Sequence, residues 1–331
     1  MRVAIVGYGK MGKAIKKRLN EHFIDADAYD VVDQQYSTIL GDFSQLDEYD
    51  TICCATPPKT NRNLATYCAE NNKHYLDLTE DVETTEYIKS LNSRSSMIPQ
   101  CGLAPGAVGI IAHNLALQFE HVDSIQMRVG ALPLYPNNHM KYYFSWSPEG
   151  VINEYCNWCD AVEGGEVSKV APLAGLEKIT IEGVEYEAFN TSGGLGTLCE
   201  TWDGKVYDMT YKTMRYPGHC KHMKFLLDDL NMSKNRDEFV EIFKNSVPVT
   251  QDDQVVLYVK VIGELDGQLR EKTFQRTFIG NDQMTAIEYT TSSGICAWLW
   301  ELKHGIIRTG FVKQEDFPFA TEHNPYWIWS E

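Results

Sequence analysis

Residues 3–12 read Val-Ala-Ile-Val-Gly-Tyr-Gly-Lys-Met-Gly. Val3 to Val6 is a short apolar, β-branched run of the kind buried in a parallel sheet. Gly7, Tyr8, Gly9, Lys10, Met11 and Gly12 follow at once as G-x-G-x-x-G, and residues 14–19 continue in a helical pattern. Strand, glycine turn and helix together make a pyrophosphate cradle. Gly7 permits the tight turn, Gly9 lets a phosphate approach the backbone, and Gly12 lets the helix pack on the strand. Residues 28–33 read as the second strand, closed by Asp33 about 20 residues past the motif, where an acid accepts ribose hydroxyls. Gln34 and Gln35 come next, with no Arg or Lys beside them to hold a 2′-phosphate, so the pattern favours NAD over NADP.

Beyond Asp33, apolar runs keep alternating with helical stretches to about residue 100. Residues 38–43 read as an edge strand whose end, at Asp42 and Phe43, passes the adenine. Residues 49–55 form a buried strand stopped by Thr56, Pro57 and Pro58. Ligands of a doubly wound sheet lie outside the carboxyl ends of its strands, which puts Thr56 and Pro57 beside the cofactor. A helix over 61–71, a strand over 73–79 with Asp77 near its end, a sixth strand over 97–101, a glycine–proline turn over 102–106 and a helix over 107–119 follow.

After about residue 120 the pattern becomes a polar–apolar alternation, as in half-exposed antiparallel strands. Strands are expected over 123–130, 142–146 and 166–172. A hairpin is expected over 179–189 about Glu182-Gly183, and a long strand pair over 254–264 and 268–279 about Asp266-Gly267. Helices are expected over 151–160, 196–202 and 219–230, and a last one over 285–304 that returns to the first domain. The fold class is therefore α/β: an N-terminal Rossmann dinucleotide-binding domain (1–119 with 285–331) carrying an inserted α+β domain of mostly antiparallel sheet (120–284).

The 331 residues suffice for two domains with ample cores. A net charge of −16 argues against binding nucleic acid or an anionic membrane, and suits a cationic substrate. Nine cysteines at irregular spacing do not form a disulfide framework, and the lone Cys156-x-x-Cys159 lacks the second pair a zinc site needs, so no metal is expected. No apolar run approaches the ~18 residues of a membrane span, and the N-terminus enters a strand directly, so the expected compartment is the cytoplasm.

Outside the first domain the densest polar cluster is Arg215-Tyr216-Pro217-Gly218-His219. Pro217-Gly218 makes a turn, Arg215 stands before it and His219 opens a helix. Arg is the natural clamp for a carboxylate, and His exchanges protons near neutral pH. The same residues also suit a surface turn with a helix-capping His. Residues 142–150 (YYFSWSPEG) either wall a pocket for an aliphatic chain or form core, and they end in Glu149. Residues 193–198 are a second glycine-rich loop without a preceding apolar strand. G-x-S-x-G, H-E-x-x-H and P-loop patterns are absent.

VGYGKMG, CGLAPG (101–106), SWSPEGVINEY (145–155), FNTSGGLGTLCETW (189–202), KTMRYPGH (212–219) and HGIIRTGFV (304–312) together resemble the saccharopine dehydrogenase-like family, most closely its L-lysine 6-dehydrogenases. The resemblance implies a Rossmann domain, a second domain carrying the substrate pocket and dimer contacts, and a homo-oligomer. It makes Arg215, Tyr216 and His219 expected site residues. Saccharopine-forming relatives carry an Asp where this chain has Ala104, and an Arg in the segment matching Asn190-Thr191-Ser192, where this chain has none. Both departures point to lysine, which has one carboxylate, over saccharopine, which has three. The expected reaction is NAD-dependent oxidation of the ε-amine of L-lysine to an imine, hydrolysed to a semialdehyde and ammonia. His219 is the first candidate base, with Glu149 and Asp77 behind it. The rival readings are a saccharopine or carboxyalkyl-polyamine dehydrogenase and a non-catalytic NAD-binding regulatory protein.

Overall fold

The computed structural model describes residues 1–32, 35–319 and 323–330. The chain divides into two compact units, Met1–Ile110 with Glu288–Glu331, and Ile111–Ile287.

The first unit is built on β1 (Val3–Val6), β2 (Ala26–Asp30), β3 (Thr38–Ile39), β4 (Thr51–Cys54), β5 (His74–Asp77) and β6 (Ser96–Ile98), with α1 (Lys10–Glu21), α2 (Pro58–Glu70) and α3 (Val82–Ser90) between them. The strands run parallel in the order β3-β2-β1-β4-β5-β6, and Gly310–Phe311 adds the far edge beyond β6. That is the strand order of a Rossmann sheet. Val3 pairs with Ala26 on one side and Thr51 on the other. The central strands are buried throughout, because helices cover both faces of such a sheet. Tyr29, Ile52, Leu64, Tyr75 and Met97 are among the residues of one core cluster. The helix Ala286–Lys303 returns to this unit. A Cβ on its Gly294 would lie 2.4 Å from the carbonyl oxygen of Cys101, so only glycine allows it to pack on the turn after β6.

Two expectations about this unit are corrected. The second strand ends at Asp30 and not at residue 33, and Val31 and Val32 are exposed. Asp33 lies outside the described residues. The third strand has only two residues, and Asp42-Phe43 begins a 3-10 turn, Phe43–Leu46.

The chain leaves through α4 (Ala107–Ala116) into the second unit. Its sheet is mixed. β10 (Glu177–Ile181), β11 (Val184–Asn190), β12 (Val206–Arg215), β7 (His121–Pro133), β13 (Asp253–Leu265) and β14 (Gln268–Ile279) are neighbours in that order, and β8 (Cys159–Glu163) with β9 (Glu166–Val170) forms a hairpin off β12. Only β12 and β7 run parallel; the other pairs are antiparallel. In β13, Val255, Leu257, Val259 and Val261 face the core while Gln254, Tyr258 and Lys260 are half-buried on the other face, as a period of two requires. Both hairpins turn where expected, with Glu182-Gly183 and Asp266-Gly267 at positive φ.

Residues 142–146 do not form the expected strand. Phe144 makes one isolated bridge to Val249, and Tyr142 and Phe144 instead fill a core with Tyr155, Phe189 and Phe239. The helices of this unit are α5 (Pro148–Cys156), α6 (Leu198–Trp202), α7 (His219–Lys224) and α8 (Arg236–Ser246). The helix expected over 219–230 changes at Phe225–Asp229 into a π turn. No helix among the described residues is long and apolar enough to cross a membrane.

Candidate functional site

In the first unit the glycine turn has the geometry its sequence demands. Gly7 has φ +92°, and a Cβ there would meet the Ala55 carbonyl oxygen at 2.6 Å and Thr56 Cγ2 at 2.9 Å. A Cβ on Gly12 would lie 2.0 Å from the Gly7 carbonyl oxygen. A Cβ on Gly9 would meet nothing within 4 Å, so the space above it is open. Gly9 caps α1 without a side-chain bond, and the first turn of α1 has no acid. A helix start of this kind presents unsatisfied N–H groups and a positive dipole end to an anion. The residues therefore fit a dinucleotide pyrophosphate.

The acid at the end of β2 is Asp30. Its Oδ2 accepts from Tyr8 N at 2.6 Å and its Oδ1 from Val32 N at 3.1 Å, so it ties the glycine turn to the strand end. This is the place a ribose-binding acid takes in such a fold. The sequence reading assigned the ribose to Asp33, which lies outside the described residues, because Val31-Val32 looks like more strand. The remaining expected contacts divide. Thr56 borders Gly7, and Pro57 caps α2. Lys10 is exposed and lies 3.8 Å from Glu288, while Met11 is half-buried. Asp42 caps its 3-10 turn by accepting from Ser44, which holds its pKa down, and the Phe43 ring packs against Tyr67 at 5.3 Å. Asp77 is fully buried at the end of β5. It accepts from Tyr75 Oη, Thr79 N and Gln100 N at 2.8, 3.0 and 3.1 Å, so it clips together the loops after β5 and β6. Burial raises its pKa to about 6 against the pull of those bonds.

In the second unit Arg215, Tyr155 and His219 form one buried chain of hydrogen bonds. Arg215 ends β12, and Tyr155 lies on α5. Arg215 Nε donates to Tyr155 Oη at 2.9 Å, and Nη1 donates to Thr213 Oγ1 at 2.7 Å and to the Met214 carbonyl at 2.9 Å. Tyr155 Oη lies 3.1 Å from His219 Nε2, and His219 Nδ1 lies 2.9 Å from the Met140 carbonyl oxygen. A carbonyl only accepts, so Nδ1 carries the proton, Nε2 is the acceptor and the Tyr155 hydroxyl donates to it. Burial, then the Arg215 charge, lowers the His219 pKa to about 3. As placed, His219 has no unused lone pair with which to act as the expected base; it orients Tyr155.

A pH dependence follows. Unfolded His takes up a proton below about 6.5, whereas the folded ring resists protonation down to about 3, so acidification through that window favours unfolding. Urea unfolding of the wild type and of His219→Gln between pH 6.5 and 4.5 is expected to show the wild type losing stability faster with acid. Parallel curves would contradict it.

Arg215 forms no ion pair within 4 Å among the described residues; the buried Glu154 acts on its charge through space, and its guanidinium faces the Tyr142 hydroxyl. Glu187 stands opposite it in the β11–β12 ladder but accepts instead from Gly218 N at 2.8 Å and Cys220 N at 2.6 Å, capping α7. Gly218, at φ +103°, makes the turn into that cap. The signal for Glu187 in the sequence is an acid set among Tyr186, Ala188 and Phe189 in a buried strand half. Glu187→Ala leaves two N–H groups without an acceptor, and a loss of about 2–4 kcal/mol in urea unfolding is expected. The other buried cations of this unit, Arg128 and Lys212, both bond Glu177.

Tyr216 and Glu149 do not join this cluster. Tyr216 Oη donates to the Pro133 carbonyl and accepts from Gln254 Nε2, and its ring stacks on Tyr186. Glu149 sits at the surface, paired with Lys244 and accepting from Ser147 Oγ.

Residues 102–322 match the Saccharopine dehydrogenase C-terminal domain family. The fold is similar to that of apo saccharopine dehydrogenase (L-Glu forming) from Saccharomyces cerevisiae, with TM-score 0.73 and 14% identity over 94% of this chain and 93% of that one. It is also similar to an engineered D-amino acid dehydrogenase bound to NADP+, with TM-score 0.53 and 13% identity over 96% and 93% of the two chains. DAP dehydrogenase of C. glutamicum in complex with DAP gives TM-score 0.52 and 11% identity over the same shares. At these identities the likeness is one of fold.

Proposed function

We propose that this chain, which belongs to the saccharopine dehydrogenase C-terminal domain family, is an NAD-dependent dehydrogenase that oxidises the ε-amine of L-lysine. The observation that carries the reading is Arg215, a buried guanidinium with no carboxylate in salt-bridge contact among the described residues. A buried charge is stable only when paired, so this one calls for an anionic ligand group, and a carboxylate fits its planar fork. Since Arg128 and Lys212 already share Glu177, Arg215 is the buried cation of this unit without a salt bridge among the described residues. That supports a substrate with one carboxylate over saccharopine with three.

The nicotinamide, when bound, accepts hydride from the amine carbon. The resulting imine takes up water and splits into a semialdehyde and ammonia. Gly7, Gly9, Gly12 and the start of α1 hold the pyrophosphate, and Asp30 is placed to accept ribose hydroxyls. Arg215 holds the α-carboxylate, Tyr155 fixes the guanidinium, and His219 fixes Tyr155. With His219 so engaged, the reacting species is the free amine taken from solution. The rate should then climb with pH toward the ordinary ammonium pKa near ~10.4.

The fold likeness to a saccharopine dehydrogenase favours a second reading, oxidation of a secondary amine. A panel of L-lysine, L-saccharopine and N-carboxyalkyl diamines, each with NAD and with NADP, separates the two. Nucleotide reduction with lysine and NAD is the expected result. Reduction with a secondary amine alone would replace the lysine assignment.

A further inference from the structure

The cluster around Arg215 contains a donor without an acceptor. The Tyr142 hydroxyl is fully buried; its oxygen faces the donors of Arg215 and Trp146, and its proton has no acceptor among the described residues. Burial raises its pKa, so it keeps its proton and acts as a donor across the neutral range. Its ring lies 5.1 Å from Arg215 Cζ and 5.0 Å from the ring of His219. The other phenol of the cluster, Tyr155, is already engaged on both sides, by Arg215 Nε and His219 Nε2. The Tyr142 proton is thus a buried donor, beside the Arg215 charge, with no acceptor among the described residues. Buried polar groups are normally satisfied, and an orphan of this kind needs a reason.

An apolar group would leave the hydroxyl proton unsatisfied, and an ammonium would repel the guanidinium. A carboxylate accepts the hydroxyl proton and neutralises the guanidinium charge. We propose that Tyr142 is the second anchor of the substrate carboxylate and makes the site prefer an amino acid to the corresponding simple amine. The inference rests on the carboxylate-clamp reading of Arg215 given above. It adds a specificity-determining residue and separates two substrate classes, amino acids and plain alkylamines.

Binding is the test, because it does not depend on turnover. L-Norleucine keeps the α-carboxylate of lysine and lacks the ε-amine; pentylamine is norleucine without its carboxylate. Their dissociation constants are measured by calorimetry on the NAD-loaded protein, for the wild type and Tyr142→Phe, a change of one oxygen atom. The expected result is about tenfold weaker norleucine binding in the variant, with pentylamine unchanged, the loss of one charge-assisted hydrogen bond. Tyr142→His, which keeps a ring donor, should lie between the two and is read alone if the Phe variant does not fold. Equal norleucine binding by variant and wild type overturns the proposal. So does a parallel loss for both ligands, which marks a purely structural role, and so does a wild type that ignores norleucine. If norleucine binds as expected while lysine yields no NADH, the reaction assignment fails and the role of Tyr142 stands.

Discussion

Arg215→Met is expected to lower kcat/KM for L-lysine by about a thousandfold while leaving the protein as stable as before. Removing one member of a buried, hydrogen-bonded charge pair costs roughly 2–5 kcal/mol of binding, and about 4 kcal/mol corresponds to a factor of about a thousand. Without substrate the sign differs. The apo guanidinium is buried with no carboxylate in salt-bridge contact among the described residues, which is a desolvation cost the folded chain carries. Methionine fills a similar volume without that charge, and the groups it leaves behind, Thr213 Oγ1, the Met214 carbonyl and Tyr155 Oη, are acceptors or can reorient. The urea unfolding free energy should therefore stay within about 1 kcal/mol or rise. Steady-state kinetics and unfolding on the same preparations check both halves. A variant that unfolds at low urea while its folded fraction still binds norleucine normally would show Arg215 to be structural only.

The second large effect contrasts two glycines of one turn. Gly9 has φ −70°, and a Cβ there meets nothing, so Gly9→Ala should leave the thermal midpoint within a degree or two. The open space above it is where a pyrophosphate would lie, so NADH affinity, read from nicotinamide fluorescence, should fall about a hundredfold. Gly12→Ala puts a Cβ 2.0 Å from the Gly7 carbonyl oxygen, and α1 must shift off β1. That variant should be destabilised by several kcal/mol, or fail to fold. If Gly9→Ala bound NADH as the wild type does, the turn would not be a phosphate cradle.

The parts of the fold legible in the sequence are those where local chemistry decides alone. Val3–Gly12 is such a case, since a strand, three glycines and a helix start leave one arrangement. The hairpins at Glu182-Gly183 and Asp266-Gly267 are others, because positive φ is needed there and the flanking runs alternate. Legibility ended where partners distant in sequence decide. Val31-Val32 has strand composition, but β2 stops pairing at Asp30, and so the strand-end acid was placed at Asp33. Asp42 belongs to a local cap, with Gln45 reaching back to Asp42 N, where an edge strand was expected. The aromatic run from Tyr142 looks like a strand by composition. It becomes core because no neighbouring strand offers it a ladder beyond the bridge at Phe144.

The candidate site followed the same rule. Arg215 and His219 are close in sequence and were found together. What each does depends on Tyr155, some sixty positions earlier, and on the Met140 carbonyl, and no spacing rule points to either. The chain of bonds from Arg215 through Tyr155 turns His219 from a candidate base into a positioning group. Tyr142 was visible only as one aromatic among several until its hydroxyl proton was seen to be unsatisfied.

The central claim is that this chain oxidises a primary amine carried by a molecule with one carboxylate. The most direct measurement is NADH and ammonia formed together from L-lysine and NAD by the purified protein, with L-saccharopine run in parallel. The account predicts NADH and ammonia in equal amounts from lysine and neither from saccharopine. NADH from saccharopine without ammonia, and none from lysine, would contradict it.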